Sequence, residues 1–324
     1  MSLAPMNSLA PVALFAYARP DHLQATLAAL AANALAGQTV LTIFSDGPRS
    51  EQDAAGVQAV RALVRQEQQA GRFAAVHVVE RDRNWGLADS IVDGVTMLCA
   101  QHGRVIVLED DIVTAPCFLR YMNDALTRYA DTPQVMHIAG HNFDINPQGL
   151  PESFFMGHSS CWGWATWQRA WAHFSRDAAA FVRDFTAQDI HRFNLDGTYD
   201  YWAQLLANRT GALKTWAVFW YASVFRQGGL CLHPRASLVE NIGHDGSGTN
   251  CGCSAQLQQC ACNAPVTGFP EVLAVDPLAL DRYKQCLTAL QQPAAPPVTP
   301  SAAAPPALLP RLIRRILRRI RSAL

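Results

Sequence analysis

Residues 105–111 read Val-Ile-Val-Leu-Glu-Asp-Asp, an unbroken apolar run that stops at three adjacent carboxylates, Glu109, Asp110 and Asp111. An apolar run without alternation predicts a strand covered on both faces of a parallel sheet. Its C-terminal end is where open α/β sheets bind ligands. Three adjacent carboxylates repel one another, so this end calls for a cation. The expected one is Mn²⁺ or Mg²⁺ carrying a phosphorylated ligand. Such ions keep several waters and bind protein through one or two carboxylates, here with Asp111 reaching the ion. A helix N-cap explains one of the acids but not all three.

Other residues could join this chemistry. Asp200 stands among Tyr199, Tyr201 and Trp202, surroundings that could desolvate it and raise its pKa towards that of a general base. A helix cap is the plain alternative, and Asp196 is the fallback base. Trp162 and Trp164 flank Gly163 on a turn, where their faces could cover a pyranose. Trp164, Trp167 and Trp171 have the i, i+3, i+7 spacing of one face of a core helix. His244 lies in the glycine-rich stretch 241–248, as either a metal ligand or a surface-loop histidine. Cys251, Cys253, Cys260 and Cys262 could close a zinc site, but the spacing is not that of a ribbon or finger, and reduced loop thiols are the competing reading.

The elements that must position these residues alternate. Strands are expected at 11–17, 40–44, 76–79, 105–108 and 134–139. Helices are expected at 20–35, 51–69, 86–101 and 116–129. This order predicts an α/β fold, a mostly parallel Rossmann-like sheet with helices on both faces. The rhythm then breaks. Residues 154–171 are aromatic and glycine-containing, 177–193 and 199–207 read as helical, 219–225 and 230–232 as short strands, and 240–270 as turns. The expected organisation is one catalytic domain, with a nucleotide-binding half at 1–145 and an acceptor-side half at 146–290. A proline- and alanine-rich linker at 291–310 leads to a basic amphipathic helix at 311–324.

That last segment holds six arginines against a formal net charge of zero for all 324 residues, so the body of the chain is mildly acidic. An acidic body argues against nucleic acid as partner. Fourteen residues are too few to span a bilayer, but a basic amphipathic helix can lie on an anionic membrane surface. No basic region followed by a long apolar core opens the chain, and the nine cysteines then read as reduced. The expected location is cytoplasmic, peripheral on the inner face of the membrane.

Residues 13–20 (ALFAYARP), the Ser45-Asp46-Gly47 turn, Asn84-Trp-Gly-Leu87 and the Glu109-Asp-Asp111 strand end together resemble the nucleotide-sugar half of GT-A glycosyltransferases. Their order is similar to family 2. Residues 105–144 more closely resemble N-acetylglucosaminyltransferase I and its bacterial relatives, as do Cys161-Trp-Gly-Trp164 and Tyr199-Asp-Tyr-Trp202. The likeness spans roughly residues 11–250 and rests on the order of motifs. It implies an inverting, metal-dependent transfer from a nucleotide-diphosphate donor, UDP-sugar by preference, to a hydroxyl of a glycan or lipid-linked saccharide. Within it, Arg19 would approach the diphosphate and Asp46 would accept from the uracil N3–H. Asn84 and Gly86 would line the nucleotide, and Glu109 and Asp110 would contact sugar, ribose or metal-bound water. Asp111 would bind the metal, His244 would be a late-chain metal histidine, and Asp200 would be the base. Trp162, Gly163 and Trp164 would lie on the acceptor side. Ala18 departs from the asparagine frequent in family 2. Two rivals stand beside this reading. A sugar nucleotidyltransferase would want a glycine-rich phosphate loop after the first strand, where this chain has Tyr17-Ala-Arg-Pro-Asp21. The other is an inactive, metal-dependent glycan-binding protein.

Overall fold

The computed structural model describes residues 9–247 and 260–291. The linker, the basic segment 311–324, Cys251 and Cys253 lie outside the described residues, so the membrane-helix and zinc expectations fall there. No helix among the described residues is long and apolar enough to cross a membrane.

Among the described residues, ten strands and ten α-helices follow one another. They begin β1 (Val12–Ala16), α1 (Pro20–Ala31), β2 (Val40–Ser45), α2 (Glu51–Ala70), β3 (Ala75–Glu80), α3 (Leu87–His102) and β4 (Arg104–Glu109). Next come β5 (Ile112–Thr114), α4 (Phe118–Arg128), β6 (Val135–Ala139), β7 (Ser153–Met156), β8 (Trp164–Trp167) and α5 (Gln168–Trp171). The chain continues through α6 (Ala178–Asp184), α7 (Ala187–Phe193), α8 (Tyr201–Arg209), α9 (Ala217–Arg226), β9 (Leu230–Pro234), β10 (Val239–Asn241) and α10 (Pro277–Gln291).

Eight strands form one mixed sheet in the order β3-β2-β1-β4-β8-β6-β9-β7. The run β3-β2-β1-β4 is parallel. β8 is antiparallel to both β4 and β6, and β7 to β9, while β6 and β9 are parallel. A strand from the second half of the chain is therefore wedged between two from the first, and both halves share one sheet. The interior explains the apolar runs: every residue of β1 is buried, as are Val105 to Leu108 of β4. A separate antiparallel pair, β5 with β10, sets Asn241 opposite Ile112.

Several expectations are corrected. The 219–225 stretch is helical, as part of α9, not a strand. Its residues Val218 to Val224 are all buried, and a helix buried all round loses the periodicity that would separate it from a strand. Trp164 and Trp167 lie on strand β8 and not on a helix face. The first helix stops at Ala31, short of residue 35, and a 3₁₀ turn follows at Ala36–Gln38. Sequence reading also missed β5, β7, β8, β10 and α10. The last seats Ala279, Tyr283 and Leu287 against Ile145, Leu150, Phe154 and Met156.

Candidate functional site

From β1 the chain runs outward to β2 and β3, then crosses to β4 on the other side of β1. This reversal makes the gap between the C-terminal ends of β1 and β4 a switch point, where α/β sheets form their crevice. Phe15 pairs with Glu109, so the turns that leave the two strands are side by side. One carries Tyr17 and Arg19, the other Glu109, Asp110 and Asp111. The Arg19 guanidinium donates to Asp110 Oδ1, and also to Asp111 Oδ2 at 2.7 Å. Tyr17 N–H faces Asp110 Oδ2 at 3.4 Å, and Thr26 Oγ of α1 donates to the Asp110 carbonyl at 2.8 Å. Asp110 and Asp111 are only 4% and 6% exposed.

This crowding has electrostatic consequences. Burial, followed by repulsion from Asp111 and Asp110, pushes the Glu109 carboxyl up to about 8, with Arg19 opposing. Asp110 is also raised, by burial first, against the pull of Arg19. Burial works against the Arg19 charge, but the Asp110 and Asp111 carboxylates outweigh it and hold the guanidinium protonated. The cation demanded by the acidic run is met within the chain by Arg19.

A second wall comes from β10. Ile242 N–H donates to the Asp111 carbonyl at 2.9 Å, and Gly243 N–H donates to Asn241 Oδ1 at 2.8 Å, folding the chain across the acids. A side chain at residue 243 would collide with Asp111 Oδ2. His244 follows, 5% exposed, with no hydrogen-bond partner for Nε2. His22 Nε2 of α1 lies 3.2 Å from Asp245 and ties the loop down. The Trp162 ring makes edge-type contacts with two imidazoles, with centroids 5.2 Å from His244 and 4.5 Å from His141.

The neighbouring Gly163 has φ +62°, and a Cβ there would lie 2.9 Å from Val239 Cγ1 and 3.3 Å from Leu108 Cδ2. Its carbonyl accepts from Gly140 N–H at 2.6 Å. Gly163→Ala is expected to cost about 2–3 kcal/mol, left-handed strain plus overpacking. Urea denaturation checks this: a midpoint shift within error would show that the turn tolerates a side chain.

Asp46, at the end of β2, binds the 84–86 loop. Its Oδ1 accepts from Gly47 and Trp85 N–H at 2.9 and 2.8 Å, and its Oδ2 from Gly86 N–H and Asn84 Nδ2 at 2.9 and 3.1 Å. A carboxylate offers about four acceptor directions. All are taken within the chain, so a uracil N3–H would have to displace one. Asn84 also donates to the Gly47 carbonyl at 3.0 Å, and Gly86 leads into α3 at φ +79°.

Two acceptor-side expectations change. Trp164 is 1% exposed and enclosed by His137, Trp171, Trp216 and Trp220, so its face is not free for a sugar. Trp162, part-exposed beside His244, remains. Asp200 is exposed and not desolvated by its aromatic neighbours, whose rings turn towards His158, Phe185 and Tyr221. It caps α8: Oδ1 accepts from Ala203 N–H at 3.0 Å and Asn194 Nδ2 at 3.1 Å. No bond joins it to the acids around Arg19, and Oδ2 has no partner among the described residues. Asp196 is paired with Lys284.

Sequence reading missed a group of buried histidines, one of which, His141, packs against Trp162. His137, His141, His158 and His233 are all buried. Trp220 Nε1–H donates to His137 Nδ1 at 3.0 Å, so His137 Nε2–H donates to the Ser160 carbonyl at 2.9 Å. His233 Nε2 meets the His158 carbonyl at 2.8 Å, and His141 Nδ1 meets Ser160 Oγ at 3.0 Å. Burial, then the nearby His233, lowers His137 and His141 to about 3, with His244 adding to the effect on His141; burial lowers His233 to about 4. His141 follows strand β6 at the same sheet edge as the acids, the one sequence signal that could have found it.

Among the described residues no three His, Cys, Asp or Glu side chains converge as a ready-made metal cage. Mg²⁺ and Mn²⁺ chemistry does not require one, since such ions keep waters and take one or two protein groups. Asp111, and His244 one residue beyond the Gly243 that packs on it, with its buried Nε2 unpartnered, are of the donor types such ions take. No family model and no curated protein matches the chain.

Proposed function

We propose that this chain is an inverting, metal-dependent glycosyltransferase of GT-A type. The reading has it move a sugar from a nucleotide-diphosphate donor, UDP-sugar by preference, to a hydroxyl of a glycan or lipid-linked saccharide. The observation that carries the reading is the switch point itself, where Arg19 meets buried Asp110 and Asp111 under the Gly243 backbone, with the unpartnered Nε2 of His244 on the next residue. Asp111 and His244 would hold Mn²⁺ or Mg²⁺, which when bound neutralises charge on the departing diphosphate. The planar guanidinium of Arg19 matches a phosphate by two parallel hydrogen bonds. The 84–86 loop, fixed by Asp46, lines the nucleotide side. Trp162 offers a face to a sugar ring. The exposed, unpartnered Oδ2 of Asp200 takes the proton of the acceptor hydroxyl, while Oδ1 stays on the helix cap. The basic segment 311–324 would hold the enzyme on an anionic membrane surface, on the cytoplasmic side.

Thermal shift with UDP, GDP and their sugars, each with Mn²⁺ and with EDTA, tests the reading. Stabilisation by UDP that requires Mn²⁺ is expected; no shift with any nucleotide would sink it. Nucleotide-independent stabilisation by glycans plus metal would favour a binding protein instead. For the base, Asp200→Asn should lower transfer by about 10²–10⁴-fold. Asparagine caps a helix as well as aspartate does, so the melting temperature and the UDP shift should stay as in the wild type. Loss of UDP binding together with transfer would remove Asp200 from the role of base.

A further inference from the structure

The two carboxylates best placed to receive a divalent ion are both engaged by one guanidinium. Arg19 donates to Asp110 and Asp111 through the same terminal nitrogen, at 2.7 Å from Asp111 Oδ2. That oxygen is hemmed in on another side by the Gly243 backbone, too close to admit a Cβ, and Arg19 Nη1 lies 3.1 Å from where that Cβ would stand. Divalent ions sit about 2.0–2.6 Å from their oxygens. An ion on Asp111 Oδ2 would thus be a close neighbour of the Arg19 charge in a place largely closed to water, where like charges repel strongly. The exposures are unequal: the Arg19 side chain is 22% exposed, against 6% and 8% for the two acids. Arg19 is thus the most solvent-accessible of the three side chains.

We infer that Arg19 acts as an interlock, a resident counter-cation that competes with the divalent ion for Asp110 and Asp111 and is drawn off by the donor's diphosphate. The inference rests on the reading of this site as one for metal and nucleotide diphosphate, and adds the order of events within it. Metal alone meets an arginine already in place. A diphosphate offers that arginine oxygens of matching geometry. Once the guanidinium turns to the phosphate, both carboxylates are released to the ion, so each ligand favours the other by the same factor. A lysine at this position would keep the charge on a more strongly hydrated head group but lose the planar fork that matches a phosphate.

Mn²⁺ binding to the full chain, followed by the free-ion EPR signal without nucleotide, tests this. Arg19→Gln should bind Mn²⁺ alone about tenfold or more tightly than the wild type, as expected when a competing charge is removed. Arg19→Lys should fall between the two. In saturating Mn²⁺ the same Arg19→Gln variant should bind UDP about tenfold more weakly, having lost a charge-assisted phosphate contact. The opposite signs are the signature, because a damaged site would weaken both ligands. If Arg19→Gln folds poorly, Arg19→Lys and the wild type still decide: Mn²⁺ should raise the melting temperature of the lysine variant more. Equal or weaker Mn²⁺ binding in the variants overturns the interlock while leaving the metal site standing. No Mn²⁺ binding by any of the three, even with UDP, removes the metal site and the interlock together.

Discussion

Asp111→Asn should lower donor turnover by about 10³-fold, the scale on which removing one group that stabilises developing charge acts. The substitution takes a negative charge from a site where Asp110 and Glu109 remain close and Arg19 keeps one carboxylate. The fold should therefore survive, with less mutual repulsion at the end of β4. The measurement is UDP release from UDP-sugars in Mn²⁺, with a circular-dichroism melt on the same preparation. Under the proposed function the variant also loses the Mn²⁺-dependent thermal shift by UDP, and Asp200→Asn does not. A turnover within tenfold of wild type would place the metal elsewhere.

The second large effect is acid sensitivity. His137, His141 and His233 are buried neutral, with folded pKa values of about 3, 3 and 4 against an ordinary 6.5. In the unfolded chain each takes a proton as the pH falls below about 6.5, and in the folded chain it does not. Stability is thus fully present above that pH and is lost as the pH falls towards the folded values. Glu109 works the other way, its contribution present below its ordinary value and lost as the pH rises through about 8. Asp110, raised by burial, adds to Glu109, and His158, lowered by burial, adds to the histidines, so two groups stand against four. Between pH 6.5 and 4.5 the net loss should be at least about 3 kcal/mol. Urea midpoints at pH 7, 6 and 5 measure it, and His233→Gln should flatten the slope. A midpoint that does not move between pH 7 and 5 would mean that these imidazoles are not buried neutral.

The first four β-α repeats were legible because their signals are local. Pro20 opens α1, the apolar run ends at Glu109, and helix-period spacing fills the intervals. The acid-bearing strand end was legible for the same reason. The second half was harder because its apolar content belongs to a core shared on all sides. Phe219 to Phe225 has the composition of a strand, yet α9 is enclosed by the aromatic residues of α6, α7 and α8. Trp164 and Trp162 look alike on a glycine turn, but β8 is buried along its whole length and takes Trp164 with it, while Trp162, just before the strand, stays part-exposed beside His244.

By itself, then, the amino-acid sequence determined the alternating α/β class and the strand that ends in three carboxylates, and marked His244 as a residue of interest, while Arg19 was marked through the resemblance of its motif. Only the tertiary structure decided what each of them meets. Arg19 is 91 residues from Asp110, and Gly243 reaches Asp111 through a β5–β10 pairing that no local pattern announces. Asp46 is turned inward onto its own loop, and Asp200 onto its own helix, by bonds that depend on where other elements dock. The physical reason is range. Period and composition act over one element, whereas the charge balance at the end of β4 is set by side chains that only strand order brings together. The three acids with which the chain announces its site are, in the fold, two buried carboxylates shared by one arginine and a third that burial holds partly protonated near neutral pH.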